Sequence, residues 1–136
     1  MSRAAASPGI AQRVDRIDWG RAAADLDATG HARLPGLLRA DECRALVALW
    51  DEPARFRKRV DLAQHRFGGS GAYQYFAYPL PEAVALLRRA LYPPLARIAN
   101  GWQERLGTAL RFPPTHERFL ARCRRERQTR PTPLLL

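Results

Sequence analysis

The strongest constraint on the fold is the spacing of large apolar residues between Pro81 and Leu106. Val84, Leu87, Leu91, Leu95, Ile98, Trp102 and Leu106 recur at steps of three and four. That spacing places all of them on one stripe of an α-helix. Arg88, Arg89, Arg97, Glu104 and Arg105 fall mostly on the other side, which stays in water. Pro93 and Pro94 interrupt the run. An interior proline removes a hydrogen bond and clashes with the preceding turn, at a cost of about 3 kcal/mol. The reading is therefore a helix to Tyr92, then a kink or a restart with proline in its first turn. A stripe this long needs a surface to cover it. The expected surface is a sheet, most of which lies outside these 136 residues.

The flanking sequence supplies helix boundaries and candidate strands. Residues 1–14 are small and polar, contain Pro8-Gly9, and are expected to be a disordered tail. Trp19, Ala22, Ala23 and Leu26 share a face of a helix over 17–28, which Gly30 closes. His31 to Leu38 predicts a short strand and a turn at Pro35-Gly36. Asp41 is placed to cap a second helix that buries Cys43, Leu46, Val47 and Trp50 and stops at Pro53. Residues 60–67 and 72–78 predict a hairpin joined by Gly68-Gly-Ser-Gly71. Within it Tyr73 and Tyr75 point one way, Gln74 and Phe76 the other. Gly107 closes the long helix, and Thr115 caps a last helix that packs Phe119, Leu120 and Cys123 inward. Leu134-Leu-Leu136, after a proline-rich bend, predicts the first residues of a core strand. The expected fold class is α+β and helix-rich, with residues 15–136 the N-terminal portion of one domain.

Composition narrows the function classes. No run approaches the roughly 18 apolar residues of a membrane span. Met1 to Ile10 has no apolar block of the secretory kind, so a cytoplasmic location is the expectation. Cys43 and Cys123 are expected to be small buried hydrophobes rather than a disulfide framework. The net charge of +10 invites a polyanion reading. Lys58 is the only lysine among 23 basic residues, and alanine is abundant, so GC-rich coding accounts for much of that charge. The charge is nevertheless uneven. Arg105, Arg111, Arg118, Arg122, Arg124, Arg125, Arg127 and Arg130 face only Glu117 and Glu126 in the same interval.

Three stretches together resemble a known family. They are Asp27-Ala-Thr-Gly-His-Ala-Arg-Leu-Pro-Gly-Leu-Leu38 running into Asp41-Glu-Cys43, Tyr75-Phe-Ala-Tyr-Pro-Leu-Pro81, and Gln128-Thr-Arg-Pro-Thr-Pro-Leu-Leu-Leu136. They look like the N-terminal part of Fe(II)/2-oxoglutarate-dependent oxygenases, of the bacterial group related to prolyl hydroxylases. The resemblance implies a double-stranded β-helix, a jelly-roll-like barrel, of which the helices here are the N-terminal support and the hairpin and last leucines the first strands. It also implies Fe(II) and 2-oxoglutarate as cofactors of the full-length protein. In that family a His-x-Asp pair and a distant second histidine hold the metal. Two imidazoles and a carboxylate on one face leave three positions open for the keto acid and oxygen.

His31, His65 and His116 are followed by Ala-Arg, Arg-Phe and Glu-Arg, so none opens a His-x-Asp pair. No catalytic, cofactor-binding or metal-ligating residue carries over. The expectation is a fragment that binds no cofactor alone and is inactive alone. Its most site-like residues are Arg66, Tyr73, Tyr75 and Tyr78, which the resemblance implies lie at the substrate mouth over the iron. As half-buried sheet residues with surface hydroxyls, the tyrosines also have a purely structural reading.

Two other classes compete. Gly71-Ala-Tyr-Gln-Tyr-Phe-Ala-Tyr78, with Arg55, Arg57, Lys58 and Arg59 nearby, is loosely similar to the stacking strand of an RNA-recognition domain. No basic residue precedes Gly71, Pro79 ends the strand, and the element order is not βαββαβ, which disfavours a small nucleic-acid-binding module. The other is a free-standing helical interaction module that docks through Arg118, Arg122 and Arg125.

Overall fold

A computed structural model describes residues 8–65 and 71–136. The chain divides into two compact units, Met1–Leu38 with Leu86–Arg122, and Arg39–Ala85 with Cys123–Leu136. The architecture is α+β and helix-rich, with one three-stranded antiparallel sheet.

In the first unit a helix lies within the last residues of the expected tail, and residues 1–7 of that tail lie outside the described residues. Helix α1, Ile10–Asp15, buries Ile10 and Val14, an i,i+4 pair on one face. Arg13 ties it down by donating from Nε to the Leu37 carbonyl (2.8 Å) and from Nη1 to that of Pro8 (2.6 Å). Helix α2, Trp19–Thr29, begins at Asp18, whose carboxylate accepts the Arg21 N–H at 2.9 Å. Gly30 ends it at φ 74°, with its N–H on the Leu26 carbonyl. Residues 31–38 form no strand. The segment runs as a loop and turns at Gly36 (φ 75°), and Pro35 offers no donor for a ladder.

The long helix, α4, is continuous over Glu82–Arg105, with Pro93 and Pro94 inside it. The expected break after Tyr92 is therefore absent. Two adjacent prolines forfeit two donors at one place, and the ladder on either side is long enough to carry on. Packing offsets the cost. Pro94 and Ala96 are buried. The Tyr92 hydroxyl donates to the Pro113 carbonyl (2.9 Å), and its ring lies 5.2 Å from that of Phe119. Asn100 clamps the Phe112 backbone at both polar atoms, Nδ2 to the carbonyl at 3.0 Å and Oδ1 from the N–H at 2.7 Å. The buried line is thus displaced from the large-residue stripe, and Leu95 and Leu106 remain exposed.

Helix α5, His116–Arg125, starts at Thr115, whose hydroxyl accepts the Arg118 N–H at 3.3 Å. Helices α4 and α5 end in the same way. After α4 the N–H of Gly107 bonds Glu104 and that of Thr108 bonds Gln103; after α5 the N–H of Arg127 bonds Arg124 and that of Gln128 bonds Cys123. Both are Schellman motifs, with a left-handed residue at their centre. Gly107 sits there at φ 67° and Arg127 at φ 60°.

In the second unit, helix α3 covers Ala40–Ala48, and its N-cap is Arg39 rather than Asp41. The Glu42 carboxylate accepts the Arg39 N–H at 2.9 Å and satisfies that end of the helix. Asp41 instead pairs with the Arg39 guanidinium at 3.1 Å. Its expected buried face is only partly realised. Leu46 and Trp50 are half-buried, but Cys43 is exposed and Val47 is 71% exposed. Cys123 is half-buried. Pro53 opens a short 3-10 turn rather than closing the helix.

Strand β1 is Phe56–Asp61, four residues earlier than expected, and a 3-10 turn follows it over Leu62–His65. It pairs antiparallel with β2, Ala72–Phe76, in the register Val60 to Tyr73 and Lys58 to Tyr75, with an irregularity between Phe56 and Lys58. The final leucines do form a strand. Strand β3, Leu134–Leu135, pairs with the other edge of β2, setting Leu134 opposite Tyr75 and Leu135 opposite Gln74. Phe76 is the sheet's anchor, 1% exposed and stacked on Phe56 at 4.9 Å.

Candidate functional site

The alternation of β2 sorts the sheet into two faces. Gln74 and Phe76 are buried on one. A buried amide needs partners, and Gln74 donates from Nε2 to the Trp50 carbonyl at 2.9 Å. Arg59, opposite Gln74, places its guanidinium 5.4 Å from the Trp50 ring centre. This face holds the unit together.

The other face carries the two tyrosines. Tyr73 and Tyr75 are half-buried neighbours, their rings edge to face at 5.5 Å. The Arg57 guanidinium lies over the Tyr75 ring at 4.6 Å. Its Nε donates to the carbonyl of buried Pro131 at 2.9 Å, so the group is held at two points. Such a cation–π contact is worth about 0.5–2 kcal/mol. Lys58 and Leu134 flank Tyr75 on either side, and both are exposed. The result is an aromatic pair beside two positive charges. It can stack a planar group and hold an anionic one, but it offers no acid–base pair.

Of the four residues singled out from the sequence, the structure brings Tyr73 and Tyr75 together. Tyr78 lies beyond the end of β2 and is 51% exposed. Arg66 lies outside the described residues. Arg57 was missed. Its signal was hidden because Phe56-Arg-Lys-Arg-Val60 does not alternate apolar with polar, so the strand was read from Val60 onward.

The histidines do not converge. His31 is exposed, with Nδ1 3.3 Å from the Thr29 carbonyl. His116 packs its ring 5.6 Å from that of Tyr92. Burial, reinforced by Arg88 and Arg89, pushes its pKa below the ordinary histidine value, while Glu117 opposes the shift. The side chain of His65 is not described. Among the described residues no three His, Cys, Asp or Glu side chains gather as a metal site would require. The described residues therefore do not supply the donor set of an iron centre. Among the described residues no helix is long and apolar enough to cross a membrane. A groove of about 920 Å³ in the first unit is lined by Arg13, Arg16, Arg21 and Arg33 with Ile17 and Leu34.

Comparison with known proteins places one match over these elements. The profile of a family described as "Oxygenase, catalysing oxidative methylation of damaged DNA" matches residues 71–136, from the start of β2 through β3. Two uncharacterised proteins of Mycobacterium tuberculosis, Rv2227 of strain H37Rv and MT2286 of strain CDC 1551, are each 38% identical over 65 residues. That alignment covers 48% of this chain and 28% of each relative. No solved structure matches.

Proposed function

We propose that these residues are the N-terminal, barrel-supporting part of an Fe(II)- and 2-oxoglutarate-dependent oxygenase, and that the Tyr73–Tyr75–Arg57 face lies at its substrate mouth. The observation that carries this reading is the oxygenase-family match over 71–136, because it starts on the strand that bears Tyr73 and Tyr75. The resemblance of 27–43, 75–81 and 128–136 adds to it. So does the short reach of the chain along its relatives, since 28% of their length leaves ample sequence for a barrel.

When bound, iron and the keto acid would supply the oxidising power, and their ligands would come from residues other than those described here. The part of this chain is binding and orientation. Tyr75 and Arg57 form a platform for a flat substrate group, while Lys58 attracts a negative one. The double-stranded β-helix would continue from β3, whose outer edge and exposed Leu134 and Leu136 are suited to receive further strands. In this account the 136 residues alone do not turn over 2-oxoglutarate.

Substrate is the finer part of the proposal. The sequence resemblance points to the group related to prolyl hydroxylases. The description of the matched family favours damaged DNA, and the net charge of +10 suits that second reading better. The test is kinetic. In the longest natural protein that contains these residues, Tyr75→Phe, Arg57→Ala and Arg66→Ala should each alter turnover of the preferred substrate. Unchanged kcat and KM in all three would remove this face from the site.

A further inference from the structure

The two Schellman motifs pose a question of residue choice. Left-handed backbone costs an ordinary L-residue roughly 1–2 kcal/mol, and glycine almost nothing. The chain follows that rule at the ends of α2 and α4, with Gly30 and Gly107. At the end of α5 it places Arg127 at φ 60°, the only non-glycine residue with positive φ among the described residues. Arginine is not among the residues enriched there. Strain retained against an easy alternative points to a use for the side chain.

The surroundings indicate the use. Arg124, Arg125, Arg127 and Arg130 are all exposed, and Glu126 is the only acidic residue between the first and the last. None of the four guanidiniums has a carboxylate or hydrogen-bond partner among the described residues. Favourable interaction with the C-terminal end of the helix dipole does not account for Arg127, since Arg124 and Arg125 already provide it within the last turn. Arg57 fastens the next part of the segment through the Pro131 carbonyl, and β3 fastens the rest. The positive charges therefore stand on a backbone tied at both ends.

We propose that the cap of α5 and the segment after it, through Arg124, Arg125, Arg127 and Arg130, is a docking surface for the phosphodiester backbone of nucleic acid. Arginine suits phosphate oxygens because its planar fork donates two parallel hydrogen bonds. No aromatic side chain for base stacking lies between Arg124 and Arg130, where Gln128 and Thr129 are the neutral polar residues; the arginine contacts with the backbone fix position rather than sequence. The inference does not rest on the oxygenase reading, because it concerns binding by this chain as it stands.

The experiment measures binding of a fluorescent 20-nucleotide single strand of mixed sequence, and of its duplex, across 50–200 mM salt. Four phosphate contacts to the single strand give a slope of log K against log salt of about −3, or an affinity loss of about 50-fold over that range. Arg127→Gly carries the decisive pair of readouts. It should raise the thermal midpoint by about 3 °C, because the strain is relieved. It should also weaken binding about fivefold at 0.1 M salt and reduce the steepness of the slope by about 0.7. Arg16→Ala, in the other unit, should leave both unchanged. The proposal is overturned if Arg127→Gly binds like the parent, if its midpoint falls, or if Arg16→Ala weakens binding as much. Equal affinity for polyglutamate or for anionic vesicles would overturn it too.

Discussion

Phe76→Ala tests whether the three-stranded sheet is the true anchor of the second unit. Phe76 is 1% exposed and stacks on Phe56 at 4.9 Å with an interplanar angle of 24°. Cutting the ring back to Cβ removes about 100 Å² of buried apolar surface, or about 2.5 kcal/mol at the usual coefficient. The lost stacking adds about 1 kcal/mol. The sum falls within the 3–5 kcal/mol typical of buried Phe→Ala changes, to which the residual cavity also contributes. Urea unfolding followed by circular dichroism and tryptophan fluorescence would read the loss as a lower midpoint. A double-mutant cycle with Phe56→Ala should return a coupling of about 1 kcal/mol, since the rings touch. A loss below about 1 kcal/mol for Phe76→Ala, with no coupling to Phe56, would refute the reasoning.

Further outcomes follow from other contacts. Asn100→Ala should cost about 2–3 kcal/mol, because it strips both partners from the Phe112 backbone; Asn100→Asp, which keeps one acceptor, should cost less in the same urea experiment. His116, with its folded pKa held below the unfolded value by burial and by Arg88 and Arg89, binds fewer protons folded than unfolded. Stability should therefore be complete above the unfolded pKa near 6.5 and should fall as pH drops toward the folded value. Thermal midpoints from pH 8 to pH 5 should show that decline, and His116→Gln should remove its histidine-dependent part. Glu42→Ala should destabilise α3 by about 1 kcal/mol through loss of the bond to the Arg39 N–H, whereas Asp41→Ala should change little.

What the sequence made legible was mostly local. Gly30, Gly107 and Thr115 mark helix ends by stereochemistry that needs no neighbours, and the structure uses each as expected. The alternation Tyr73-Gln-Tyr-Phe76 fixed the two faces of β2 in the same way. Leu134 and Leu135 were readable as a strand because an apolar run after a proline-rich bend has few other uses. Tertiary packing overruled the rest. Pro93 and Pro94 break a helix by local rules, yet Tyr92, Ala96 and Asn100 hold this one together. Ile10 and Val14 carried a helical spacing that the small polar residues around them obscured. Cys43 and Val47 lie on the face that periodicity selects, but periodicity cannot say whether anything covers it. Arg57 stands in the sequence as one basic residue among several, because its placement depends on the Tyr75 ring and on a carbonyl at Pro131, far along the chain.

The central claim is that these helices and strands support an oxygenase whose iron ligands lie in other residues. Its most direct test is succinate release from 2-oxoglutarate under oxygen with added Fe(II). The 136-residue chain should be compared with the longest natural protein that contains it. The account predicts iron-dependent succinate from the longer protein and none from the 136 residues alone. Succinate from the short chain, or from neither, would contradict it.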